Sequence, residues 1–152
     1  MIRNDKEYRH GKERLSELEA ESRGLSSVRR SAGQAEVSTA VIDALQMQIE
    51  DLEREISEYE DLKEGRILSF AADDLDSLGE LITKARIAAG LTQAQLGEIL
   101  GMTQQQVQRY ERDEWQKISV WRLAEAAEAL GLDLSIRARL SASNTARVAG
   151  TG

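Results

Sequence analysis

Three helix starts follow one another between residues 77 and 106, and no other feature limits the fold of this chain as tightly. In each, a Ser or Thr is followed three residues later by Glu or Gln: Ser77 with Glu80, Thr92 with Gln95, and Thr103 with Gln106. In this capping-box pattern the hydroxyl accepts from the backbone amide of the later residue, whose side chain reaches back to the first amide. Apolar residues then recur at helical spacing: Leu81, Ile82, Ala85 and Ala89, then Leu96, Ile99 and Leu100, then Val107 and Tyr110. Gly90 and Gly101 stand just past the first two segments, where a left-handed residue closes a helix. The pattern reads helix, tight turn, helix, tight turn, helix. A fourth helix over 119–130, ended by Gly131, is expected to bury Val120, Leu123, Ala127 and Leu130. Four short helices around one small core make a complete domain, placed at 78–132.

A different period governs the N-terminal half. Ile42, Leu45, Ile49, Leu52, Ile56 and Tyr59 recur at spacings of 3, 4, 3, 4 and 3. This is a heptad seam with Ile at a, a combination that favours two-stranded parallel coiled coils. Tyr8, Leu15, Leu18 and Leu25 form a weaker stripe, with Gly11 and Ser22 in its gaps. The segment 24–36 between the stripes has no period and reads as a connection. Residues 1–65 are thus expected to be a helical hairpin or coiled-coil arm. Val41 and Leu62 widen the second stripe enough for both a hairpin partner and a dimer partner, while a solvated hairpin packing only on itself is the plainer alternative.

Residues 66–77 read as a linker. The acids Asp73, Asp74 and Asp76 in it are assigned to the positive start of the next helix, because a calcium loop would need a Gly and a distal Glu that are absent. Residues 133–140 alternate like a short strand and, with 66–70, leave open a two-stranded ribbon. The end, 141–152, is expected to be a disordered tail.

Composition narrows the chemistry. There is no Cys and a single His, His10, which excludes thiolate metal sites, disulfides and Cys-His or Ser-His catalysis. Proline is absent and aromatics are 4%, while good helix formers abound. The fold class is therefore all-α. No apolar run approaches a membrane span and the first residues are too polar for a secretory signal, so a cytoplasmic protein without membrane association is expected. The net charge of -7 opposes nucleic-acid binding only on average: residues 1–77 carry 19 acids against 11 bases, and residues 78–140 carry eight of each.

The third capped helix holds the informative side chains. With Val107, Tyr110 and Glu111 inward, a 100° wheel leaves Gln105, Gln108, Arg109 and Arg112 on the outer face, with Gln104 at the N-terminal end. Gln pairs bidentately with adenine and Arg with guanine in the major groove. A Gln-rich solvent face is the bland alternative, and the preceding turn-linked helix weighs against it.

ARIAAGLTQAQLGEILGMTQQQVQRYERD resembles the helix-turn-helix of the Xre family, the Cro/cI-type regulators, over residues 78–132. The resemblance implies a lambda-repressor-like domain of four to five helices. Its second helix would straddle the DNA backbone and its third would lie in the major groove. By position it assigns Gln104, Gln105 and Arg109 to base contacts, with Gln108 beside them. Backbone contacts fall to Gln93, to the helix starts at Thr92 and Thr103, to Arg112, and to Trp115 and Lys117 in the following loop. Helix N-termini bind anions through their free amides, an independent reason for the first of these. Arg86 and Glu111 correspond to a buried structural ion pair. The arm lies outside this match but is similar to that of HigA-like antitoxins of bacterial toxin-antitoxin pairs.

The expected function is a homodimeric, sequence-specific transcriptional repressor reading an inverted repeat in double-stranded DNA, autoregulating as an antitoxin. The seam Ile42, Leu45, Ile49, Leu52, Ile56 and Tyr59 is assigned to dimerisation or a partner. Trp121 is assigned to the same role or, equally, to partial burial against the arm. The alternative is a protein-interaction module whose arm neutralises a toxin. With no phosphate loop, metal cluster or activated nucleophile, neither an enzyme nor a cofactor is expected, and His10 is assigned a solvated position.

Overall fold

A computed structural model describes residues 1–32, 39–72, 74, 76–116 and 118–137. Six helices follow in order: α1 (Asp5–Ala32), α2 (Thr39–Lys63), α3 (Leu78–Ala88), α4 (Gln93–Leu100), α5 (Gln104–Arg112) and α6 (Val120–Ala129). There is no strand among the described residues. None of their helices is long and apolar enough to cross a membrane.

Asn4 starts α1 by accepting the amides of Lys6 and Glu7 at 3.1 and 3.0 Å. The helix runs on through Gly24 to Ala32, so the connection expected over 24–36 is helical for most of its length. Leu25 supplies the reason: it packs on the cluster of Leu18, Leu45 and Ile49, and this burial offsets the roughly 1 kcal/mol that a mid-helix Gly costs. Residues 33–38 lie outside the described residues.

The heptad seam is covered within the chain. Leu45, Ile49, Ile56, Tyr59 and Leu62 are buried on α2, Leu18 faces the first two from α1, and Tyr8 stacks on Tyr59 at 5.4 Å between ring centroids. The expected dimer seam is therefore the inner face of the hairpin. Gly11 falls where the stripe has a gap because a Cβ there would lie 3.2 Å from Ile2 Cδ1. That gap admits Ile2.

A second core holds Ile82, Leu96, Val107, Trp115, Ala126 and Ala127, bringing α3 to α6 together. Gly90 and Gly101 adopt φ of 71° and 65°, the left-handed closures the sequence requires. α3 serves both cores. Ile82 points into the second, while Ile87 joins Ile2, Ile56, Tyr59 and Leu62 in the first, so α3 is the seat of the arm. Lys84 on α3 reinforces this seat by pairing with Glu58 of α2 at 2.5 Å.

Several expectations need correction. Ser77 does not cap α3: its hydroxyl and its amide both donate to Asp74 Oδ1, at 2.7 and 2.8 Å. A carboxylate three residues earlier is a strong acceptor, and it holds the hydroxyl away from the Glu80 amide that a cap would bind. These bonds also hold the Asp74 carboxyl below its usual pKa. Val120 and Ile99, expected inward, are exposed, because Ala126 and Ala127 turn toward the core in α6 and Leu96 does so in α4. Residues 133–137 form no ladder with 66–70. Instead Phe70 and Ala71 face Asp133 to Arg137 across an open groove of about 620 Å³. Residues 138–152 lie outside the described residues.

Candidate nucleic-acid interface

α4 and α5 are joined by a single tight turn and start in the same way. Thr92 Oγ1 accepts the Gln95 amide and Thr103 Oγ1 the Gln106 amide, each at 3.2 Å, while Gln95 and Gln106 return the bond to the first amides at 2.8 Å. Both boxes match the sequence reading. Gly97 faces the turn, where a Cβ would lie 2.6 Å from the Met102 carbonyl oxygen. This close approach fixes the angle between the two helices.

Val107 and Glu111 anchor α5 inward, and Tyr110 stacks on Trp115 at 5.5 Å. Gln104, Gln105, Gln108, Arg109 and Arg112 are exposed. Within this set Gln104 and Gln108 line a groove shared with Asn4 and Lys6 of the arm, and Gln105, Arg109 and Arg112 do not. The Arg109 guanidinium lies over Tyr110, 5.5 Å from its ring centroid, which limits its wandering without using its donors. Arg112 is paired with Asp113 at 3.2 Å.

Beneath the helix pair lies a polar network that orients it. Arg86 donates to both Glu111 carboxylate oxygens at 2.5 and 3.0 Å, and to the Leu91 and Arg3 carbonyls at 2.6 and 2.7 Å. Gln93 Nε2 donates to Glu111 Oε2 at 2.7 Å, and Arg3 Nε donates to the Glu111 carbonyl at 3.2 Å. The Arg86 and Glu111 side chains are nearly inaccessible to water, and no buried side-chain polar atom among the described residues lacks a partner. A buried pair is tolerated only when its remaining donors and acceptors are satisfied, as they are here.

Two residues assigned to the DNA backbone have other work. Trp115 is only 1% exposed and its indole nitrogen faces Thr83 Oγ1 at 3.4 Å, so its ring is a core element. The Gln93 side chain is committed to Glu111, leaving only its backbone at the α4 start. Thr92 and Thr103 are exposed caps, and Lys117 lies outside the described residues. Trp121 settles as exposed, at 81%. His10 is exposed, 3.7 Å from Glu13. Sequence reasoning missed Arg3, whose role no local pattern signals. It also missed the burial of Trp115, for which the scarcity of aromatics was a usable signal: a small core with few large side chains needs the one nearby.

Residues 77–150 match the family described as "Helix-turn-helix domain". Within that segment α4, the tight turn and α5 form a helix-turn-helix. Two proteins named as uncharacterized HTH-type transcriptional regulators, from Rickettsia prowazekii and Rickettsia conorii, are each 45% identical to it over 53 residues, 35% of this chain. The chain spans about 40% of the length of these relatives, 40% and 42% respectively. No solved structure matches.

Proposed function

We propose that the chain is a sequence-specific, non-enzymatic transcriptional repressor of the Xre type that binds as a homodimer to an inverted repeat. The observation that carries the reading is Gln105 beside Arg109. These are two base-reading side chains on the outward face of a helix whose inner face is locked by Val107 and Glu111. Two such helices about 34–36 Å apart would meet successive major grooves. With the heptad seam covered by α1, the exposed apolar pair Val120 and Trp121 at the start of α6 is the better candidate for the contact between copies.

In a gel-shift against the DNA upstream of its own reading frame, Gln105→Ala and Arg109→Ala should each cost about 1–3 kcal/mol of discrimination. Retention of full sequence preference by the double variant would refute the assigned readout. Truncating Trp121 to Ala should lower the molar mass in solution toward that of one chain, and an unchanged dimer would move the contact elsewhere.

The antitoxin form of the proposal adds a cognate toxin held by the arm. It is supported by the outward face of α2, where the exposed Met47 lies among Asp43, Glu50 and Asp51 at helical spacing. An acidic face around an apolar anchor suits a basic partner. Co-purification with the product of the adjacent gene, lost in Met47→Asp, tests it.

A further inference from the structure

The arm does not project away from the reading helix. Its base closes one side of a groove of about 290 Å³ whose walls include Asn4, Asp5, Lys6 and Lys63 from the arm, Thr92 at the start of α4, and Gln104 and Gln108 along α5. The N-terminus of α4 opens into this groove with its exposed cap Thr92, and its free amides favour an anion. Opposite them, Lys6 is exposed and forms no ion pair among the described residues. Lys63 stands beside it, held at 3.2 Å by Asp5.

The charges of the helix-turn-helix unit point the same way. Among its described cations, Lys84 pairs with Glu58 and Glu80, Arg86 with Glu111, Arg112 with Asp113 and Arg122 with Glu125. A DNA-binding unit whose own cations are mostly spent must neutralise phosphates with charges from elsewhere. In the groove that the α4 start faces, such charges come from the arm: Lys6, with no ion pair among the described residues, and Lys63, which is shared with Asp5.

We propose that the base of the arm is part of the DNA surface, with Lys6, and Lys63 beside it, receiving a backbone phosphate of the strand that crosses the start of α4. This rests on the DNA-reading function proposed above. The hairpin then acts as a second wall for the backbone and sets the lateral position of α5 in the groove. Gln104 and Gln108, which share that wall, face the backbone edge, and Gln105 and Arg109 carry the base readout.

The test is a salt titration of the full chain on two duplexes, the upstream DNA and an unrelated sequence of equal length. Lys6→Ala should weaken binding to both equally. It should also reduce the slope of log affinity against log salt by about 0.9, so that between 50 and 200 mM salt the unaltered chain loses about three- to fourfold more affinity than the variant. Asp5→Asn, which frees Lys63 while keeping an acceptor for Tyr59, should do the opposite and steepen the slope. A slope and affinity unchanged in both variants overturns the inference, even where Gln105→Ala and Arg109→Ala abolish sequence preference and so uphold the readout. Absence of salt-dependent binding by the unaltered chain overturns both.

Discussion

Replacing Glu111 with Ala should destabilise the helix-turn-helix unit by about 3–5 kcal/mol, because it leaves the Arg86 guanidinium buried without its countercharge. Two of the four hydrogen bonds drawn from Arg86 end on that carboxylate, and Gln93 loses its acceptor as well. Only the Leu91 and Arg3 carbonyls remain, and neither carries a charge. Against a typical total of about 5–15 kcal/mol, such a loss removes a large share of the unit's stability, and at the lower end of that range it brings the unit close to half-unfolded. Urea denaturation followed by circular dichroism measures it. Replacing both partners by Met should be far milder, since a well-packed apolar pair avoids the desolvation of two ions. A shift under about 1 kcal/mol for Glu111→Ala would mean that water reaches Arg86 and the pair is not truly buried.

The same network explains why the arm is fixed to the reading unit. Arg86 binds the Arg3 carbonyl, Arg3 binds the Glu111 carbonyl, and the Met1 ammonium meets Glu55 at 2.8 Å. Between these polar ties, Ile2 is buried among Ile56, Tyr59, Leu62 and Ile87. The first four residues act as a rivet through α2, α3 and α5. Tyr59 adds a bond from its hydroxyl to Asp5 at 2.8 Å. Burial and this carboxylate push the phenol pKa well up, while the Tyr59 bond and then Lys63 hold the Asp5 carboxyl low. A carboxyl lowered on folding stabilises the folded state above its unfolded pKa, and that contribution fades as acid protonates it. The tie from Tyr59 to Asp5 should therefore weaken as the pH falls through the lowered Asp5 pKa.

Local signals were legible wherever the responsible residues lie within a turn of one another. The boxes at Thr92 and Thr103, the left-handed Gly90 and Gly101, and the outward Gln105 and Arg109 all follow from spacing alone. A period states which stripe is apolar and not what covers it. The seam from Ile42 to Tyr59 would read the same beneath α1 as beneath a second copy. Ile87 shows the limit from the other side: it is off the stripe of its own helix because it serves a different core. Ser77 failed as a cap because Asp74 draws both its hydroxyl and its own amide, a competition the capping-box pattern by itself does not weigh. The helix-turn-helix residues gave the pairing of Arg86 with Glu111, whereas Arg3, more than eighty positions earlier, was beyond any local pattern.

Trp115 offers the sharpest separation between a loop that touches DNA and a loop that completes a core. Its backbone and that of Glu114 take positive φ, 57° and 48°, to swing the indole inward. There it meets Tyr110 and Thr83, while the Glu114 carbonyl passes so close to α3 that a Cβ on Gly79 would lie 1.8 Å from its oxygen. Gly79 thus makes room for the turn, and Trp115 fills the space the turn encloses. Trp115→Ala should cost about 3–5 kcal/mol, the usual range for emptying a buried aromatic site. Trp115→Phe keeps a ring against Tyr110 and gives up a long hydrogen bond, so about 0.5–1.5 kcal/mol is expected for the bond, plus the smaller ring. Fluorescence reports the site directly. With two tryptophans in the chain and Trp121 in water, the Phe variant should lose the blue-shifted component and keep the red one. Were Trp115 a backbone contact, the Phe variant would bind DNA more weakly at unchanged stability. As a core residue it should unfold earlier and, while folded, bind as before.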